Sequence, residues 1–301
     1  MGASTTSAHA QARSRNTRPD LPYALLKPTT QTAPVIYASP HSGRYYPRDF
    51  VESSQLNPTA LRRSEDAFVD DIYETCTQHG SPLLKALYPR AYIDVNREPY
   101  ELDPNMFDSP LPSFVNTESP RALAGLGTVA KIVTSGAEIY TNKLNFDQIN
   151  TRIRDVYHPY HHALCTLIED TRHSFGNCVL IDCHSMPSNT PGADGQAQVL
   201  NTDIILGDRF GTSCKSALTE NAQEILEDLG FRVRRNRPYA GGFTTQHYGN
   251  PNDQVHVLQI ELNRALYMDE TQVKPGTDFD EIKAQLSQFI ERLNHVANSL
   301  L

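Results

Sequence analysis

Short apolar runs, each closed by a polar or glycine-rich stretch, set the pattern of this chain. Ala33 to Ser39 is apolar and stopped by Pro40 and Gly43, which reads as a buried strand running into a loop. From Pro58 to Gly80 the apolar residues Ala67, Val69, Ile72, Tyr73 and Cys76 recur at helical spacing. Pro82 to Leu87 and Ala91 to Val95 are predicted strands, and residues 99 to 135 an irregular excursion rich in Pro, Gly and Ser. The stretch from Gly136 to Arg172 is predicted helical, with an interruption near Pro159. Asn177 to Cys183 is the clearest buried strand. Asp203 to Leu206, Phe231 to Arg234 and Val255 to Leu262 are further strands. Helices are expected over Gly211 to Leu229 and Asp278 to Leu301, and a glycine-rich loop over Pro238 to Pro251. Strands alternating with helices predict an α/β fold, a mostly parallel sheet covered by helices.

No repeat or compositional break marks a linker, so residues 21–301 are expected to form a single domain. Residues 1–20 carry Arg13, Arg15 and Arg18 without an apolar run and are expected to be a disordered tail, not a secretory signal. The 301 residues are 39% hydrophobic, enough for a large core. A net charge of −8 argues against nucleic acid as the main partner. No apolar run approaches the roughly 20 residues of a membrane span, so a cytoplasmic protein is expected. The five cysteines are scattered and form no CxxC pair; four sit in apolar segments that read as core, and buried reduced thiols are the expectation.

Candidate chemistry gathers where predicted strands end, the place where open α/β sheets bind ligands. His41 follows the first strand. Glu65 and Asp66 open the next helical stretch. Asp182 and His184 interrupt the most apolar strand, and alternation puts them on one side of it. Asp182 is placed to orient the imidazole from behind. Glu261 punctuates another buried strand, where an apolar wall suits a general base. Two histidines, one of the acids Glu65 and Asp66, and a separate glutamate fit a catalytic zinc site: three protein ligands plus an open position. Arg97, with Asn96 beside it, is a natural fork for a substrate carboxylate, and Arg90, Arg44 and Arg264 are further candidates. His158 and His162 lie one helical turn apart, but lining the pocket or a purely structural role suits this helix start better than metal binding. Tyr239 belongs to a glycine-rich loop that reads as a wall contacting substrate.

Eight stretches in series resemble the N-formylglutamate amidohydrolase family. They are PHSGRYYP at 40–47, SEDAFVDDIY at 64–73, YPRAYIDVNRE at 88–98, YHPYHHAL at 157–164, LIDCHSMPS at 180–188, GDRFGTSC at 207–214, NRPYAGGFTTQHYG at 236–249 and IELNRALYMDE at 260–270. The resemblance implies a three-layer fold like that of the zinc carboxypeptidases, with a central mixed sheet between helices. It implies Zn2+ or another divalent metal, and hydrolysis of N-formyl-L-glutamate, or a similar small anionic N-acyl amino acid, in histidine breakdown. By position it makes His41, Asp66 and His184 the metal ligands, Glu261 the general base, and Asn96 and Arg97 the carboxylate binders. One departure is that His41 is followed by Ser-Gly-Arg and not by a glutamate three places on, as in carboxypeptidases. Two other readings fit the same residues: a zinc peptidase or deacylase for a larger acyl group, and a carboxylate-binding protein without catalysis.

Overall fold

A computed structural model describes residues 18–191, 197–199 and 201–301. The disordered tail expected over residues 1–20 falls almost wholly outside the described residues. A seven-stranded mixed sheet organises the chain. Its strands are β1 (Tyr23–Leu26), β2 (Val35–Ser39), β3 (Leu83–Ala86), β4 (Cys178–Met186), β7 (Ile204–Gly207), β8 (Val233–Arg235) and β9 (Val255–Asn263), in the order β1-β3-β2-β4-β9-β7-β8. Two short antiparallel pairs lie outside it: β5 (Asn189–Pro191) with β6 (Ala197–Val199), and β10 (Met268–Asp269) with β11 (Lys274–Pro275). β2 runs parallel to β3 and β4, β4 parallel to β9, and β7 parallel to β8, while β7 meets β9 antiparallel. The expected mostly parallel sheet flanked by helices is what forms.

The described chain groups into two compact units. One holds the chain up to Ala24, His41–Glu65 and Ala86–Tyr160, and the other holds Leu25–Pro40, Asp66–Lys85 and His161–Leu301. In the second unit, alternation along the strands sends Val35 and Tyr37, Val179, Ile181 and Cys183, and Leu258, Ile260 and Leu262 into one core. The helix Phe279–Leu300 covers that core with Ile282, Leu286, Phe289, Ile290, Leu293 and Ala297, spaced by three and four. Tyr37 donates through its hydroxyl to Asn294 of this helix at 3.1 Å, which satisfies a buried polar pair between strand and helix.

In the first unit a smaller core forms around Phe50, Leu61, Ala91, Val133 and Ile139. Buried Arg152 lies over the Tyr92 ring at 4.2 Å and donates to the Tyr140 hydroxyl at 2.8 Å. Gly43 is required here by close approach: a Cβ would run into the Tyr88 carbonyl.

Several expected elements change. The helical stretch from Pro58 to Gly80 breaks into Pro58–Leu61, a 3-10 turn at Arg62–Ser64, Val69–Tyr73, and a second 3-10 segment at Glu74–His79. Glu65 is extended (φ −63, ψ 141) and Phe68 is left-handed (φ 66), and these two residues interrupt the helix. Ala91 to Val95, predicted as a strand, is mostly buried but is not a strand; it is a turn in which Tyr92 and Ile93 donate to the Pro89 carbonyl at 2.9 and 3.2 Å. Residues 136–145 are not helical. Helix begins at Phe146–Arg152 and passes through a π-helical turn, Ile153–Tyr157, into His158–Phe175. The π turn lets the chain continue where Pro159 offers no N–H. The loop from Pro238 to Pro251 contains the short helix Phe243–Tyr248, and the helix expected from Gly211 starts at Ser216. No helix among the described residues is long and apolar enough to cross a membrane.

Candidate metal centre

The centre is built on the sheet face opposite the core of the second unit. Because Val179, Ile181 and Cys183 of β4 point into that core, Asp182 and His184 point the other way; on β9 the same rule turns out Gln259 and Glu261. Parallel pairing sets Asp182 opposite Gln259 and His184 opposite Glu261. Four polar residues thus form one block on two neighbouring strands, and all four are buried. Burial of polar groups on this scale is tolerated only where each has partners.

Those partners are specific. His184 sits 3.0 Å through Nε2 from Asp182 Oδ2 and 3.0 Å through Nδ1 from Asp66 Oδ2. Arg264 donates from Nη2 to Asp66 Oδ1 at 3.0 Å and from Nε to the Ser185 hydroxyl at 3.1 Å. Burial pulls the His184 imidazole down, but Asp182, Asp66 and Glu261 outweigh it and hold the group well above its ordinary pKa. Glu261 accepts from Gln259 Nε2 at 2.8 Å.

His41 has a matching arrangement in the first unit. Its Nε2 lies 2.6 Å from Asp94 Oδ1, and the Asn96 backbone N–H donates to the same oxygen at 2.9 Å. Arg90 donates to Asp94 Oδ2 at 2.7 Å, and Arg97 Nε stands 3.8 Å from that oxygen. Burial works to raise the Asp94 carboxyl, but Arg90, His41 and Arg97 together hold it well below the usual carboxylate range. Arg97 is fixed by two further bonds, Nε to the Leu126 carbonyl at 3.0 Å and Nη1 to the Asn96 carbonyl at 2.9 Å. Tyr157 donates to the Arg97 carbonyl at 2.7 Å from the π-helical turn. Burial lowers the Arg97 guanidinium to about 10, and neighbouring Arg90 and Arg121 add to that effect.

His41, Asp66 and His184 are all buried, and each offers one ligand atom within 4.8 Å of the other two. They are the one group of this kind among the described residues. Of the two adjacent acids, Asp66 belongs to this group, while Glu65 receives a bidentate pair from Arg62, both bonds 2.9 Å, and the Tyr46 hydroxyl at 2.6 Å. His158 and His162 are exposed. Arg264, one of the arginines considered for substrate, donates to Asp66. Tyr239 is half-buried, in the loop just before Gly241. No buried thiol competes as a nucleophile: burial pushes Cys178 and Cys214 up to about 12, and Cys76 and Cys183 well above their ordinary value. Two contributors were not identified from sequence. One is Asp94 as the partner of His41, which no local pattern distinguishes from its charged neighbours. The other is Gln259, for which a signal existed: a polar side chain two residues before Glu261 in the same apolar strand.

Relatives place this arrangement. The N-formylglutamate amidohydrolase family model matches residues 33–268. The chain is 27% identical over 243 residues to the N-formylglutamate deformylase of Pseudomonas putida, spanning 79% of this chain and 83% of that one. It is 32% identical to the N-formylglutamate amidohydrolase of Ralstonia eutropha JMP134, whose crystal structure gives a TM-score of 0.87 and covers 93% of this chain and 99% of its own. A gene product of Agrobacterium tumefaciens shares the fold at 19% identity, with a TM-score of 0.65 over 93% of this chain and 95% of its own. This chain belongs to the N-formylglutamate amidohydrolase family.

Proposed function

We propose that this protein is a metal-dependent amidohydrolase that cleaves N-formyl-L-glutamate into formate and glutamate. The observation that carries the proposal is the trio of His41, Asp66 and His184, with ligand atoms within 4.8 Å of one another. The donor set fits a divalent metal of the zinc type: two imidazoles and one carboxylate. Each imidazole is backed by its own carboxylate, Asp94 behind His41 and Asp182 behind His184. Such backing fixes the ring and raises the basicity of the coordinating nitrogen. Both backing contacts use Nε2, so Nδ1 is the coordinating atom we assign to each histidine. Zn2+ bound there would supply Lewis acidity to the amide carbonyl and to water.

The chain's own residues supply the remaining work. Glu261 is the general base: it takes a proton from the attacking water and returns it to the departing amine of glutamate. Asn96 and Arg97 hold the substrate carboxylate. The support for Arg97 is its fixed plane and its burial: Nε and Nη1 are tied to carbonyls, and Nη2 bonds no partner among the described residues. A buried cation whose pKa is lowered gains when an anion arrives. Arg90 sets the charge of Asp94, and Tyr239 walls the site from the glycine-rich loop.

The test is formate release from N-formyl-L-glutamate by the purified protein. Activity is expected to vanish on chelation and return with zinc. A zinc-loaded protein that releases no formate would overturn the substrate, and release that persists without bound metal would overturn the metal. Arg97→Ala is expected to raise KM by about tenfold to a hundredfold, the range for losing a hydrogen bond to a charged group, with a smaller change in kcat. Steady-state kinetics checks this, and a loss confined to kcat would remove Arg97 from carboxylate binding.

A further inference from the structure

Gln259 is neither a candidate metal ligand nor, in the proposed reaction, a substrate contact. It is buried, opposite Asp182 on β4 and Gly207 on β7. Its two carboxamide atoms have different partners. Oε1 accepts from the Gly242 backbone N–H at 2.8 Å, and Nε2 donates to Glu261 Oε1 at 2.8 Å. The orientation of the amide is therefore dictated: a backbone N–H can only donate and an ionised carboxylate can only accept. Gly242 opens the short helix Phe243–Tyr248 in the glycine-rich loop. That loop has a defined shape. Gly241 has a φ of 125, and a Cβ there would run into the Thr245 side chain. The Thr245 hydroxyl donates to the Gly242 carbonyl at 2.8 Å. Asn236, at the loop's start, bonds Asp208 in both directions: it accepts from the backbone N–H at 3.1 Å and donates to Oδ1 at 2.8 Å.

We propose that Gln259 is a positioning residue that ties the glycine-rich loop to the general base, so that the loop's conformation sets the plane of the Glu261 carboxylate. The inference rests on Glu261 being the base. Two bonds in series, Gly242 to Gln259 to Glu261, hold the carboxylate by one oxygen before substrate arrives. Without them, the Glu261 carboxylate loses the bonds that tie its plane to the loop. Proton transfer demands a fixed orientation, whereas binding the substrate carboxylate does not. The consequence belongs to kcat.

The experiment compares Gln259→Met, Gln259→Glu, Glu261→Gln and the double variant Gln259→Met/Glu261→Gln, each zinc-loaded, by formate release from N-formyl-L-glutamate. Gln259→Met removes both bonds. Gln259→Glu keeps an acceptor for Gly242 but replaces the amide donor with a second carboxyl, which either repels Glu261 or occupies its proton-accepting oxygen by sharing a proton. Both single variants are expected to lose about tenfold to a hundredfold in kcat, with KM and zinc content little changed. In the Glu261→Gln background, adding Gln259→Met is expected to cost nothing further, because the group it positions is already gone. Wild-type kcat in Gln259→Glu would overturn the inference, as would an equal fold loss from Gln259→Met in both backgrounds. If Gln259→Met does not fold, Gln259→Glu decides alone. If Glu261→Gln itself keeps turnover, the general-base reading fails and Gln259 has nothing to position; a dead Glu261→Gln beside an active Gln259→Glu removes only the inference made here.

Discussion

Glu261→Gln is expected to lower kcat for formate release by about 10²–10⁴-fold, the usual cost of losing a general base. The substitution is chosen for what it preserves. The new carboxamide has the size of the carboxylate, and its carbonyl oxygen still accepts the bond that Gln259 Nε2 makes now at 2.8 Å. What it cannot do is take a proton. Glu261 also adds negative charge beside His184, so its loss weakens the hold on a protonated imidazole. That effect is secondary, because Asp182 and Asp66 both remain 3.0 Å from the ring. Zinc content should therefore match that of the parent, and substrate affinity should change little. Metal analysis alongside steady-state kinetics separates the two causes. If kcat stays within about tenfold of the parent, Glu261 is not the base; if zinc is lost along with activity, its role is in holding the metal.

Asp182, His184 and Glu261 were legible in sequence for one physical reason: apolar strands do not carry acids and histidines without compensation. His184 and Asp182 stood out against Val179, Leu180 and Ile181, and Glu261 against Leu258, Ile260 and Leu262. Alternation put Asp182 and His184 on one side of β4, and the observed core confirms that side. Register was not legible. Nothing local says that β4 pairs with β9, so the facing of His184 to Glu261 and of Asp182 to Gln259 appears only in the folded sheet. The partner of each arginine was equally hidden. Arg264 and Arg97 look alike as sequence, yet one clamps Asp66 and the other is tied to backbone carbonyls. Secondary structure failed where burial and regular geometry part company. Ala91, Ile93 and Val95 are buried as strand residues would be, but the segment turns at Pro89. The periodicity from Ala67 to Cys76 is real burial as well, but left-handed Phe68 keeps Asp66 out of any helix. That break leaves the Asp66 carboxylate beside His184.

Asp66 carries the second large expectation, and it concerns stability as much as activity. Its Oδ2 meets His184 Nδ1 and its Oδ1 meets Arg264 Nη2, each at 3.0 Å, and all three side chains are almost fully buried. Asp66→Ala removes the carboxylate shared by a guanidinium and an imidazole. Breaking a buried pair from one side typically costs about 3–5 kcal/mol, because the charge left behind has been stripped of water. Asp66→Asn leaves a carbonyl oxygen for Arg264 and an amide that fits neither the guanidinium nor a metal. Its cost is expected to be smaller, about 1–3 kcal/mol for an imperfectly satisfied buried group. Both variants lose a candidate ligand, so both should fail to retain zinc and release formate only at background levels. Thermal denaturation with and without added zinc tests these claims together. Bound metal stabilises only the state that binds it, so zinc should raise the melting temperature of the parent and leave both variants unmoved. The metal-free proteins should rank parent, then Asn, then Ala. Zinc-dependent stabilisation persisting in Asp66→Ala would remove Asp66 from the ligand set. Metal-free Asp66→Ala as stable as the parent would show that Arg264 draws no stability from this carboxylate.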